Sequence, residues 1–231
     1  MRQTDTSTAE ELPRVGGTRR VDFSAALDTD EVAVVQYHLP PEAQLPGGLH
    51  AHVDQSETFL VLAGSVVFET VTSASEHTPP PEHTLPPEHT LPPEHTPSSG
   101  ATVRSLPRDQ QCHREVTVTA GEAVRFDPGE FQTGRNAADS PASVLAVGAP
   151  RETDDVRFPQ SCPECDHPTV RLDTAGGLEF DCPNCRATHS PRSCPACEDS
   201  QMQFRLDESS VVVRCRSCQA TVPDGIEREG R

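Results

Sequence analysis

The stretch that decides the fold runs Leu49-His50-Ala51-His52-Val53-Asp54-Gln55-Ser56-Glu57-Thr58-Phe59-Leu60-Val61-Leu62-Ala63-Gly64. Side chains alternate across a β-strand with period two, so His50 and His52 share one face. The residues between His52 and Glu57 allow a tight turn. Glu57 then opens an apolar run, Gly64 marks a second turn, and Ser65-Val66-Val67-Phe68-Glu69 reads as the following strand. Two imidazoles and one carboxylate on neighbouring strands are the donor set of a facial triad, which leaves metal positions open for substrate or oxygen. Inside a barrel, such a trio would be costly without a cation or a full set of hydrogen bonds. Phe59 and Val61 share Glu57's parity and predict an apolar wall beside it.

Further strands are predicted near 31–39, 49–53, 57–62, 65–71, 115–119, 122–126, 130–135 and 142–149. Short strands with Gly/Pro turns and almost no helical periodicity predict an all-β barrel or sandwich. Between 72 and 112 lies an interruption in which Glu-His-Thr recurs at 76–78, 82–84, 88–90 and 94–96. The proline density favours polyproline II, which would set His77, His83, His89 and His95 on one face, about 19 Å apart and too far to share one ion. The repeat reads as an expansion in a tolerant hairpin loop. Cys112, just past it, reads as an inert thiol.

The run His50-x-His52, four residues, Glu57, six residues, Gly64 resembles the first motif of the cupin superfamily. The second cupin motif is recognisable in Gly121, Asp127-Pro128-Gly129, Gln132 and Asn136, with changes. Gln132 stands where a third histidine is usual, and the turn's proline falls one position late, at Pro128. Gln44 occupies the place of the first motif's leading glycine, with Gly47 and Gly48 close by. The resemblance covers roughly residues 20–150. It implies a double-sheet jelly roll whose metal is held by His50, His52 and Glu57. Gln132 would offer its amide oxygen as a fourth ligand or hydrogen-bond a metal-bound water, the second role being favoured. Asn136, Gly121 and Gly129 read as turn and packing residues. Tyr37 and Arg125 are candidates to point into the barrel and select substrate.

The remaining chain carries Cys162-Pro-Glu-Cys165, Cys182-Pro-Asn-Cys185, Cys194-Pro-Ala-Cys197 and Cys215-Arg-Ser-Cys218. Each Cys-x-x-Cys can form a knuckle, and two knuckles complete a closed four-thiolate site. Hairpins are predicted between the knuckles of each pair, the zinc-ribbon pattern twice in tandem. Two structural zinc ions would fold these segments rather than catalyse. Interleaved pairing of the knuckles is the alternative. His167 and His189 are not needed once four thiolates are counted.

The chain has 36 acidic against 19 basic residues, a formal charge of −17 and no lysine. Such a composition looks like that of proteins from salt-in halophilic archaea, where carboxylates keep a crowded surface hydrated. The start is polar and no apolar run approaches the roughly 20 residues needed to span a bilayer, so a cytoplasmic protein is expected. In a reducing compartment the paired cysteines point to metal rather than disulfides. No basic patch with interleaved aromatics marks a nucleic-acid footprint, so the ribbons would contact protein or simply stabilise the chain.

These readings predict a disordered N-terminus over 1–18, a cupin domain over 19–150, a linker over 151–161, ribbons over 162–188 and 189–222, and a tail over 223–231. The ion in the barrel would be Fe, Mn, Ni or Zn. Two functions follow. One is a metal-dependent, dioxygenase-like oxidoreductase acting on a small organic molecule. The other is a non-catalytic metal- or ligand-binding sensor that engages a protein partner through its ribbons. A homodimer is compatible with either, and the fold does not choose between them.

Overall fold

The computed structural model describes residues 1–73, 111–207 and 210–227. The Glu-His-Thr repeat and the Cys112 side chain lie outside the described residues. The described chain is all-β apart from one helical turn. The first strands are β1 (Glu10–Val15), β2 (Thr18–Asp22) and β3 (Ala33–Leu39), with the helix Ser24–Leu27 between β2 and β3. There follow β4 (Ala51–His52), β5 (Ser56–Ala63), β6 (Ser65–Ser73), β7 (Gln111–Thr119), β8 (Ala123–Phe126), β9 (Phe131–Arg135) and β10 (Ala142–Ala149). The cysteine-rich part contributes β11 (Val156–Phe158), β12 (Val170–Asp173), β13 (Glu179–Asp181), β14 (Thr188–His189), β15 (Met202–Asp207), β16 (Ser210–Cys215) and β17 (Thr221–Val222).

One sheet has the order β1-β2-β3-β10-β5-β8, and a second has β7-β6-β9. The chain passes between them at the β5–β6, β7–β8, β8–β9 and β9–β10 connections. At the first of these, Gly64 takes φ 74° against the Pro141 carbonyl, a left-handed turn with no room for a side chain. The two sheets close on one apolar core. Leu39, Phe59, Val61, Phe126 and Val144 come from the first sheet and Val66, Phe68 and Val118 from the second. The Phe59, Phe68 and Phe126 rings meet at 5.1–6.1 Å. Period-two alternation explains the choice, since Phe59 and Val61 turn inward while Leu62 is exposed. Asn136 is wholly buried and donates to the carbonyls of Leu39, Pro40 and Ser140.

The cysteine-rich part is continuous with this body. β4 pairs with β11, which pairs with β12, giving a five-stranded sheet β14-β13-β12-β11-β4. A three-stranded sheet, β15-β16-β17, completes the chain. A second apolar core gathers Leu49 with Val170, Phe180, Phe204, Val213, Val222 and Ile226, and takes in Val71 and Phe131 from the outer face of β6 and β9.

Several expectations need amending. Residues 1–18, expected to be disordered, supply β1, which pairs with β2 and is fastened by an Arg19–Glu11 ion pair of 2.8 Å. Its polar composition marks an edge strand rather than a free tail. Residues 151–161, expected as a linker, carry β11, because Arg157 finds ladder partners on both sides, in Ala51 and Arg171. Thr188 and His189 form one strand beside β13, across the boundary expected between the ribbons. Ile226, in the expected tail, is buried and bridges Pro191.

Candidate metal centre

The site begins with two glycines. Gly47 and Gly48 take φ 94° and 72°, and a Cβ on Gly47 would sit 2.9 Å from His50 Cε1. This left-handed pair swings the chain so that the Gly48 carbonyl accepts a hydrogen bond from His50 Nδ1–H at 2.8 Å. The carbonyl can only accept, so Nδ1 carries the proton and Nε2 presents a lone pair. His52 is fixed by the same logic. Thr153 Oγ1 donates to Asp54 Oδ1 at 2.5 Å, so it accepts from His52 Nδ1–H at 3.3 Å. In the neutral ring, His52 Nε2 is therefore also the lone-pair atom.

The two Nε2 atoms face one another at 3.1 Å, and His52 Nε2 lies 3.3 Å from Glu57 Oε2. Lone pairs at that separation repel unless a proton or a cation stands between them. An ion with metal–ligand bonds of about 2.1 Å holds neighbouring octahedral donors about 3 Å apart, and these separations fit it. All three ligand atoms lie within 4.8 Å of one another. The side chains of His52 and Glu57 are 13% and 16% exposed, so the set is largely out of water.

Electrostatics reinforce this readiness. Burial first, and the neighbouring His52 second, push His50 below the usual histidine range, keeping it neutral. Burial works against the Glu57 carboxylate, but a proton on the neighbouring His52 ring, the His50 ring and the Gln132 amide hold its carboxyl below the usual range, the place in the charge balance that a cation would fill. Gln132 is buried and donates through Nε2 to Glu57 Oε2, while its backbone exchanges hydrogen bonds with His50. It thus orients the carboxylate from beside the three donors. Burial and the Glu57 charge raise Tyr37, so its phenol keeps its proton in the barrel. Arg125 does not enter the barrel. It sits at outward parity beside inward Phe126, 60% exposed, and pairs with Asp127 at 2.8 Å.

The knuckles pair in sequence order rather than interleaved. Cys162, Cys165, Cys182 and Cys185 form one cluster, and Cys194, Cys197, Cys215 and Cys218 the other. Sulfur pairs stand 3.7 and 3.5 Å apart in the first and 3.5 and 3.6 Å in the second. Four thiolates at about 2.3 Å from one tetrahedral ion would be about 3.8 Å apart, so both clusters fit zinc. Burial pushes the Cys162 thiol up to about 12, and a hydrogen bond from Asn184 brings Cys165 down to about 6. His189 Nε2 approaches Cys162 Sγ at 3.5 Å and flanks the first cluster without joining it.

Thr153, Asp54 and Phe158 escaped the sequence reading. The Phe158 ring lies 6.4 Å from the His50 ring. No local signal marks Thr153 and Phe158, which meet the site across about a hundred positions, and Asp54 acts on it through Thr153.

No protein-family model matches the chain, and no curated protein matches it. Among solved structures it is similar to a sugar phosphate isomerase of the cupin superfamily from Silicibacter pomeroyi. That match has 18% identity, covers 77% of this chain and 90% of that one, and has a TM-score of 0.46. A conserved protein with a double-stranded beta-helix domain from Klebsiella pneumoniae is 16% identical over 67% of this chain and 94% of its own, with a TM-score of 0.39. A predicted oxalate decarboxylase from Thermotoga maritima is 18% identical over 63% of this chain and 96% of its own, with a TM-score of 0.38. At this distance the chemistry has to be argued from the site itself. Among the described residues, no helix is long and apolar enough to cross a membrane.

Proposed function

We propose that residues 10–150 form a cupin barrel whose His50, His52 and Glu57 hold a divalent transition ion and present it to a small organic molecule. The observation that carries this reading is the convergence of two Nε2 lone pairs and a carboxylate oxygen at 3.1 and 3.3 Å. Two imidazoles and one carboxylate suit Fe(II), with Mn, Ni and Zn admissible. The ion would supply Lewis-acid or redox chemistry at the positions these side chains leave open.

The chain's own residues do the positioning. The Gly48 carbonyl and Thr153 fix the two histidine tautomers, Gln132 orients the Glu57 carboxylate, and the Tyr37 phenol offers a protonated donor. The apolar wall of Phe59, Phe68 and Phe126 excludes water behind them. The reaction class that fits is a dioxygenase-like oxidation. A second reading is favoured by the pairing of ligand strand β4 with β11, which makes the centre continuous with the cysteine-rich sheet. In it the barrel is a non-catalytic sensor that signals to a protein through two zinc ribbons. The acidic, lysine-free surface suits a cytoplasm of high salt.

Glu57→Gln separates these readings in protein purified anaerobically at high salt. Substrate-dependent oxygen consumption that the substitution abolishes, with the fold retained, supports the enzyme. Ligand-dependent partner binding without turnover supports the sensor. A parent chain that takes up no transition ion beyond the cysteine clusters defeats both.

A further inference from the structure

The segment that carries the two histidines is held more by the cysteine-rich part than by the barrel. Its ties to the barrel strands are the His50–Gln132 bridge and one bond from Gly129 N–H to the His52 carbonyl at 2.7 Å. On the other side, Leu49 N–H donates to the Phe204 carbonyl at 2.8 Å, and Leu49 is wholly buried among Val170, Phe180, Phe204 and Val213. Ala51 and His52 pair with Arg157 and Val156, and Val53 N–H donates to the Asp155 carbonyl at 2.9 Å. The His50 ring leans on Phe158, which meets Phe180 at 5.5 Å and Phe204 at 5.2 Å. A Cβ on Gly48 would lie 2.5 Å from the Phe204 carbonyl, so β15 is pressed against the turn that aims His50.

The cysteine-rich sheets share a small apolar core, and small modules with four-thiolate sites fold with their metal. We propose that the two cysteine clusters are coupled to the barrel centre. Zinc in the clusters would hold β11, Phe158 and Phe204 against residues 48–53 and so raise the barrel's affinity for its ion. Thr153, Phe158 and Phe204 are then positioning residues for His50 and His52. Linkage makes the effect mutual, so an ion in the barrel raises the clusters' affinity for zinc by the same factor. This inference rests on the metal readings given above for both kinds of site.

The test uses the full chain with its zinc in place and titrates the barrel with Mn(II), a hard ion that thiolates bind poorly, followed by electron paramagnetic resonance. In a Cys165→Ser, Cys185→Ser chain, zinc falls by one ion and the Mn(II) dissociation constant rises at least tenfold. Thr153→Val leaves every thiolate intact, keeps the zinc count, weakens Mn(II) several-fold and alters its spectrum, while Thr153→Ser restores both. The Thr153 arm decides the matter should the cysteine variant unfold. Coupling is overturned if zinc is lost with Mn(II) affinity within twofold of the parent, or if Thr153→Val matches the parent in affinity and spectrum. A parent chain without cluster zinc sinks the ribbon reading and the coupling together. A parent with cluster zinc that takes no Mn(II) sinks the barrel reading instead.

Discussion

His50 and His52 owe their chemistry to their other ring nitrogens. Each Nδ1–H is spoken for, by the Gly48 carbonyl at 2.8 Å and by Thr153 Oγ1 at 3.3 Å, so in the neutral rings both Nε2 atoms offer electrons to the same point. The triad was legible in the sequence because its members lie within eight positions and strand parity puts them on one face. Gln132 was legible through its place in the second motif. Thr153 was not, since it lies 101 positions from His52 in a stretch that reads as a polar connection. Gly48 is the residue whose substitution speaks most directly to this geometry. At φ 72° an alanine Cβ would meet Gln203 Cγ at 2.4 Å and the Phe204 carbonyl at 2.5 Å. Strain at positive φ plus overpacking predicts that Gly48→Ala lowers stability by about 2–4 kcal/mol, read as a fall in urea midpoint at unchanged slope. An alanine chain as stable as the parent would show that β15 does not press on this turn.

At the level of elements, β3, β5, β6 and β7 to β10 fell where alternation placed them, because each buries one face and a one-residue slip would expose it. β1 and β11 did not announce themselves. β1 is an edge strand half of whose residues are charged, and β11 takes one of its partners from β4, about a hundred positions away. Asn136 shows how one residue joins such elements. Its amide donates to carbonyls at the end of β3 and in the turn before β10, and its Oδ1 accepts from Ala138 N–H at 3.0 Å. Asn136→Ala would strand these buried groups and cost about 2–4 kcal/mol. Thermal unfolding followed by calorimetry checks this, and a loss under about 1 kcal/mol would mean that water replaces the amide.

For the whole molecule, a charge of −17 without lysine sets the solvent conditions under which these contacts can hold. Self-repulsion across such a surface is screened as ionic strength rises. The melting temperature should therefore climb by more than about 5 °C between 0.1 and 2 M KCl, a change of roughly 1–2 kcal/mol for a chain of this size. A flat or falling curve would remove the high-salt reading of the composition. The two cysteine modules and the barrel also define a metal count. Three donor clusters among the described residues could each hold a metal ion. The most direct test is metal content per chain, measured on protein prepared anaerobically, for the parent and for His50→Ala, His52→Ala. Three ions are expected in the parent and two, both zinc, in the variant, with the β-sheet signature unchanged. Equal counts of two in both chains would contradict it, leaving the paired imidazoles to share a proton rather than an ion.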